Sequence, residues 1–557
     1  MEVSIDGKPG ATHWIMLAAI IVAAILLRVV AINGQGLWSD EAFTIVLADW
    51  SISDMFRLPT DPTPFLYYAI HKAFLPADAS IAAIRSISVV AGVLSVGLMY
   101  VLGRLAYGKA GGLLAAALLA VWSIHVDYSQ EARAYSLLFF FTLLTSVGFL
   151  YYANLLKGGG VGRNRLIALV LFGIGDVLSF YTHMASVFWI ALTCLLLFAL
   201  VVRAGRARLI EVGVLFVVMA LCALPGVLRL AEQLKIGDGF NWVRQPGLSS
   251  FIQSNLNLFL PSGLWENTLI RTSGLTSIAK ILVMAASAAG FAAALWLGRR
   301  RMLEWSRDRR AVLWLTLAYL MVPLIVWLYG FALKPLFISR VILYSVPGMI
   351  LLITGLCLAL DKRRSAWAAI AVVAAYSAAL LLQGTIRERE NWRGAAEYLA
   401  SAAAPGDVIA ICPAYNYPAL RYHATAPAGA AVVATMGSAL ARIEGGLGSN
   451  PDWDKVYFQK LIYPQTMAHI QGGDVSVSDL GGPGKLELQP GQSIWRVDGR
   501  CTEELGADMD RALSGASPDP DVAWIQKGTP RVGAISVRRY RVAAPITLDL
   551  QNLTTGQ

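Results

Sequence analysis

Apolar residues along this chain come in long unbroken runs, not in the alternating or every-third-residue patterns of soluble elements. Runs long enough to cross a bilayer as helices fall near 14–33, 81–103, 110–125, 134–154, 166–182, 185–202, 209–228, 274–297, 311–331, 341–360 and 366–383. The pattern therefore predicts a polytopic α-helical membrane body of about eleven transmembrane helices. The first run, preceded by Lys8, reads as a retained anchor and not as a cleaved signal peptide, because of its length and the helices downstream. Outer-loop pieces such as ISDMFRL, PFLYYAIHKAF and FIQSNLNLFL are amphipathic and predict short helices lying in the membrane interface.

The pattern changes at RERENWRGAAEYL. A helical start at 392–403 is followed by PGDVIAI, a turn leading into a strand, and then by PALRYH, a second short helix. AAVVAT, QSIWRVDG and GAISVRRYRVAA read as further strands. Helices and strands in alternation predict a small soluble α/β domain. The chain thus divides into a transmembrane domain, 1–384, and a soluble domain, 385–557. The tail holds no GxGxxG, no P-loop and no serine elbow, and the cytoplasmic KGGGVGRNR fits no phosphate-loop pattern.

Composition agrees: 56% of residues are hydrophobic, 15% are charged and the mean hydropathy is +0.58, outside the soluble norm. The net charge of +10 changes the picture only through its distribution. Basic residues sit in short clusters between apolar runs, at 104–109, 157–165, 203–208, 299–310 and 362–364. That is the positive-inside pattern, and it excludes a nucleic-acid face. With a cytoplasmic N-terminus every cluster is cytoplasmic, which puts 34–80, 125–133, 229–273 and everything after 384 on the opposite side. Cys194, Cys222 and Cys357 lie inside apolar runs as small core residues. Cys412 and Cys501 fall in the outward tail, where a disulfide is chemically permitted and geometry decides whether it forms.

Two outward segments carry candidate chemistry. LWSDEAFTI, 37–45, places Asp40 and Glu41 directly after the first apolar run, where a helix leaves the bilayer. HVDYSQEARAYSLL, 125–138, holds His125, Asp127, Tyr128, Glu131 and Arg133. Asp61 in PTDPTPFLYY, His183 in FYTHMAS, and Lys334 and Arg340 in LKPLFISR add polar groups at the same level. Acids and cations at one depth suit a site that takes up a proton and holds an anion. Each also has a plain reading: a Glu131–Arg133 pair, a structural hydrogen bond at His183, snorkelling at Lys334 and Arg340. No metal-ligand spacing is present, and a divalent ion between Asp40 and Glu131 stays open.

The outward Asp-Glu pair, DPTPFLYY, YSQEARAYSLL and SRVILYSVPG together resemble membrane glycosyltransferases of the GT-C fold. The bacterial group they resemble is similar to protein O-mannosyltransferases and the lipid A aminoarabinose transferase. The resemblance spans roughly 10–400, and the tail differs from the β-trefoil inserted in eukaryotic protein mannosyltransferases. It implies a hexosyl- or pentosyltransferase that takes sugar from a polyprenyl-phosphate donor to a glycan, lipid or protein acceptor, with inversion. It also implies a bacterial inner-membrane location with site and tail in the periplasm. By the same resemblance Asp40 is the general base, assisted by Glu41, and Arg133 holds the carrier phosphate. Asp61, Tyr128, Glu131, His183, Lys334 and Arg340 are then substrate-binding candidates. A transporter or flippase of lipid-linked glycans, and a membrane-anchored binding protein working through its tail, are the alternatives.

Overall fold

The computed structural model describes residues 9–30, 32–57, 63–76, 79–158, 162–236, 245–259, 296, 304, 309–383, 389–424, 431–436, 439–443, 484–501, 503–526 and 534–550. Asp61 and the apolar run near 274–297 lie outside them, apart from Trp296. The chain forms two compact units: Met1–Ile32, Asp61–Tyr67 and Ala83–Arg387 make the first, and Asn33–Thr60, Tyr68–Ala82 and Glu388–Gln557 the second.

Among the described residues before 384 the α-helices are α1 (Ala11–Val29), α2 (Ser39–Asp49), α3 (Ile52–Arg57), α4 (Leu66–Phe74), α5 (Ile81–Ala120), α6 (Ser123–Ser129), α7 (Tyr135–Gly158), α8 (Gly162–Thr182), α9 (Ser186–Val201), α10 (Arg206–Ile236), α11 (Leu248–Phe259), α12 (Arg310–Ala332), α13 (Val346–Leu358) and α14 (Lys362–Gln383). Among the described residues seven are long and apolar enough to cross a membrane, with α9 and 343–358 as shorter apolar helices. The chain is a multi-pass membrane protein. Helix α5 covers two predicted spans in one element: Gly108, at φ +81°, breaks it. Its two arms fold against each other, since a Cβ on Gly103 would meet the Gly111 carbonyl at 2.6 Å and the Ala115 Cβ at 2.7 Å. Only glycine permits that approach and that φ.

Small residues bring α7 and α8 equally close. A Cβ on Gly148 would stand 2.5 Å from the Phe172 nitrogen, and one on Gly175 2.5 Å from the Thr145 nitrogen. Close backbone approach of this kind is how membrane helices gain dispersion energy when no hydrophobic effect drives them together. The core is tied by aromatic stacks, Trp189 on Tyr319 at 4.1 Å and Trp122 on Tyr376 at 4.4 Å. The outer faces of α1 and α10 stay apolar and exposed, as a lipid-facing surface requires.

In the second unit β1 (Val408–Cys412) is the buried centre of a six-stranded sheet. The order is β3-β2-β1-β5-β7-β6, with β2 (Ala431–Met436), β3 (Ala439–Ile443), β5 (Ser493–Gly499), β6 (Ser517–Gln526) and β7 (Ile535–Arg541). β1 runs parallel to β2 and β5, and the outer pairings are antiparallel. β4 (Gly484–Leu488) and β8 (Ile546–Leu550) pair separately. Helices α15 (Trp392–Ala402), α16 (Tyr417–His423) and α17 (Glu503–Ala512) complete the α/β domain. The PGDV turn has a physical basis: Gly406 adopts φ +87°, and buried Asp407 accepts from the Ala404 and Ser493 amides and from Trp495 Nε1 at 2.8–2.9 Å. Cys412 and Cys501 form a disulfide, closing the end of β1 onto the turn after β5.

Candidate active site

The first unit organises the segment 125–138. It is no bare loop: Ser123–Ser129 is helical and every residue of it is buried. The following turn keeps Glu131 and Arg133 buried, at 2% and 7% exposure. Backbone and neighbours hold them there. The Arg133 amide bonds the Glu131 carbonyl at 2.7 Å, and Ser88 Oγ donates to the Arg133 carbonyl at 3.2 Å. Ser88 in turn meets the Tyr67 hydroxyl at 2.8 Å, so the DPTPFLYY motif braces the Arg133 turn through one serine.

Tyr135 gathers three of the candidates. Tyr128 packs edge-on against it with centroids 5.2 Å apart, His183 lies at 5.8 Å, and the Arg340 guanidinium sits 5.9 Å from its ring centroid. His183 Nδ1 accepts from the Ala185 amide at 3.1 Å, which puts the proton of the neutral ring on Nε2. Lys334 shares the irregular stretch that leads to Arg340, half-buried; of the two cations it is Arg340 that lies over Tyr135. A cation over an aromatic face is held without losing its charge.

Arg28, inside the first apolar run, is fully buried and donates to Ser129 Oγ and to the Ala24, Ala120 and Leu119 carbonyls. It also stands 2.8 Å from His125 Nδ1. Sequence reasoning passed over it and Tyr135. The signal for Arg28 was a lone guanidinium inside an apolar run, where an unpaired charge is costly. A third overlooked group is Asp176 in α8, buried, accepting from Thr145 Oγ1 at 2.9 Å and Thr193 Oγ1 at 3.0 Å.

Asp40 and Glu41 belong to the second unit and correct one expectation. They stand in the first turn of a new short helix, α2, and not at the exit of α1. Carboxylates there face the positive end of the helix dipole. Glu41 is buried at 1% exposure and Asp40 is partly exposed. The residues before them are strapped to the C-terminal part of the chain. The Gln35 side chain accepts from the Arg389 amide at 2.9 Å, His423 Nε2 lies 3.1 Å from the Leu37 carbonyl, and Ser39 Oγ lies 2.8 Å from both Glu390 Oε2 and Asn416 Oδ1, which share its one proton. Tyr415 is exposed overall, yet desolvation of its phenol, then the negative charges of Glu390 and Asp40, push it up to about 12, with Arg500 acting the other way. A neutral hydroxyl therefore stands in the field of Asp40 at neutral pH.

Among the described residues the metal-capable group is Cys412, Asp498 and Cys501, and both of its sulfurs are spent in the disulfide.

Comparison with solved structures matches ArnT from Cupriavidus metallidurans bound to undecaprenyl phosphate over 95% of this chain and 98% of that one, at 12% identity and a TM-score of 0.50. The fold is GT-C. Two further GT-C structures are similar. The Archaeoglobus fulgidus oligosaccharyltransferase in complex with Zn and sulfate matches at 15% identity, TM-score 0.47, over 87% of this chain and 68% of that one. The yeast (S. cerevisiae) protein O-mannosyltransferase Pmt1-Pmt2 complex bound to the sugar donor matches at 18% identity and TM-score 0.32. There the match covers 45% of this chain and spans 37% of the yeast one. Neither sequence-family models nor curated proteins give a match.

Proposed function

We propose that the chain is a glycosyltransferase that moves a hexose or pentose from a polyprenyl-phosphate carrier to a hydroxyl or amine of a glycan, lipid or protein acceptor. The carrying observation is a GT-C fold in which the turn after α6 keeps Glu131 and Arg133 buried. Removing charges from water costs several kcal/mol per ion, so charged groups buried at this level persist where they are used. A guanidinium suits the use, because its planar fork binds two phosphate oxygens while staying charged. ArnT, similar over nearly its whole length, holds undecaprenyl phosphate.

In this reading the acceptor oxygen attacks the anomeric carbon as its proton passes to the Asp40 carboxylate. The bond from that carbon to the phosphate oxygen breaks, and its electron pair leaves on the polyprenyl phosphate. Attack opposite the leaving group inverts the anomeric centre, through an oxocarbenium-like transition state. Negative charge grows on the phosphate as the bond breaks, so Arg133 stabilises the transition state more than the ground state. Glu41 orients Asp40, while Tyr128, His183 and Arg340 hold the donor, with Lys334, Glu131 and Asp61 completing substrate contacts. The site and the tail face the periplasm of a bacterial inner membrane.

One observation favours a transporter or flippase: Asp176 with Thr145 and Thr193 forms a buried polar node inside the spans, where transporters place coupling groups. Purified chain given undecaprenyl phosphate carrying a radiolabelled sugar, with cell membranes as acceptor source, separates the two. Label moving to an acceptor with release of undecaprenyl phosphate supports transfer. Intact donor moving across the bilayer supports the transporter.

A further inference from the structure

We propose that Glu390 and Arg500, both from the C-terminal part of the chain, are positioning residues for Asp40. The inference rests on reading Asp40 as the base.

Glu390 is 3% exposed, and three groups converge on its carboxylate, two as hydrogen-bond donors and the guanidinium of Arg500 as an ion-pair partner. Ser39 Oγ and Trp392 Nε1 each lie 2.8 Å from Oε2, and Arg500 Nε lies 2.6 Å from Oε1. A buried carboxylate is tolerated only with such partners. One of the three is the residue before Asp40. Ser39 opens α2, so its anchorage fixes the start of the helix that carries the base. Its hydroxyl is shared with Asn416 Oδ1 at 2.8 Å, and Asn416 Nδ2 donates to the Gly499 carbonyl at 2.6 Å, next to Arg500. Trp38 is held as well. Its carbonyl accepts the Glu41 and Ala42 amides at 3.0 Å, and the guanidiniums of Arg389 and Arg500 lie 5.3 and 5.9 Å from its ring centroid.

Arg500 itself is constrained. It adopts φ +57°, a left-handed conformation that side-chain-bearing residues rarely occupy. On one side Gly499 packs so close to Trp392 that a Cβ would meet the indole at 2.5 Å; on the other, Cys501 is bound to Cys412. Effort spent on one arginine's backbone makes sense if its side chain must reach one place, and that place is Glu390. A catalytic base works only when held within a fraction of an ångström of its productive position. The C-terminal part of the chain is thus a component of the base's support.

The test uses the full chain in nanodiscs with Glu390→Ala, Arg500→Gln, Arg500→Lys and the mild Ser39→Ala. Hydrogen exchange at the Glu41 and Ala42 amides reports α2 directly, without any substrate. Rates with undecaprenyl phosphate carrying a radiolabelled sugar, membranes supplying the acceptor, report catalysis. Glu390→Ala should speed exchange at both amides at least tenfold and lower kcat at least tenfold, with KM for the donor within twofold. Arg500→Gln should follow it, Arg500→Lys should recover part of the loss, and Ser39→Ala should shift both readouts in the same direction by less. Unchanged exchange at Glu41 and Ala42 in Ser39→Ala and Glu390→Ala, or a loss confined to KM for the donor, overturns the proposal. No transfer by the wild type, with faster exchange in the variants, overturns the glycosyltransferase reading and upholds the clamp.

Discussion

Replacing Arg28 by methionine keeps the stem and removes the guanidinium, and the structure sets the size of the effect. Five contacts are lost: Ser129 Oγ at 3.2 Å, the Ala24, Ala120 and Leu119 carbonyls at 3.0, 3.2 and 3.4 Å, and His125 Nδ1 at 2.8 Å. They are not equal. Ala24 lies within α1 and Leu119 also receives the Trp122 amide, so those carbonyls have backbone donors. The Ala120 carbonyl, at the end of α5, and His125 Nδ1 lose a donor at buried positions. Orphaned buried acceptors cost about 1–3 kcal/mol each, and relief from burying a charge returns part of that. The net loss should be about 2–4 kcal/mol, with the Arg133 turn loosened because Ser129 and His125 anchor it. SDS-titration unfolding in mixed micelles measures the first, hydrogen exchange over 123–134 the second. Gly92→Ala should act on the same node, since its Cβ would meet Ser129 Oγ at 2.2 Å, and its cost should be non-additive with Arg28→Met. A loss below about 0.5 kcal/mol with unchanged exchange over 123–134 refutes the reasoning, because surface substitutions alone stay within that range.

Three further outcomes follow. Gly148→Ala should destabilise by about 2–3 kcal/mol, since three backbone atoms of α8 lie within 2.9 Å of its Cβ, whereas Gly97→Ala, with nothing within 4 Å, should be neutral or slightly stabilising; micelle unfolding compares them. Burial depresses the His71 pKa to about 4, so the folded chain binds fewer protons than the unfolded one between about 4 and 6.5, and stability falls as pH drops through that window. The loss from pH 8 to 5 should be about 2 kcal/mol, and His71→Gln should flatten the slope of unfolding against pH. Removing the Cys412–Cys501 disulfide, which spans 89 residues, should cost the second unit about 3–4 kcal/mol, read by proteolysis of the tail under non-reducing and reducing conditions.

Much of the membrane domain was legible because a spanning helix needs only unbroken apolarity of sufficient length, a property of composition. The α5 hairpin was legible too, through the charges and glycines around Gly108 that interrupt the run. In the tail, turn chemistry at Pro405–Gly406–Asp407 and the apolar run after it marked β1, whereas β3, β4, β6 and β8 were missed. SPDPDVAWIQ shows why: two prolines and two acids speak against a strand, and pairing with β7 overrides them. Helix α2 was missed although Ser-Asp-Glu is a helix-start signal, because the apolar run before it drew the eye to an ending instead of a beginning. The pattern also left Glu390 and Arg500 unmarked. Their partners Ser39 and Trp38 lie some 350 residues or more away in the chain, and only folding shows that the segment around Asp40 is compact with the tail.

The central claim is that Asp40 takes the acceptor's proton during sugar transfer from a polyprenyl-phosphate donor. Asp40→Asn keeps the size of the side chain and removes its basicity. Single-turnover transfer from undecaprenyl phosphate carrying a radiolabelled sugar, with binding of undecaprenyl phosphate followed in parallel, should show a rate lower by about 10²–10⁴-fold at unchanged affinity, the range a general base contributes. Wild-type transfer by Asp40→Asn would contradict the account.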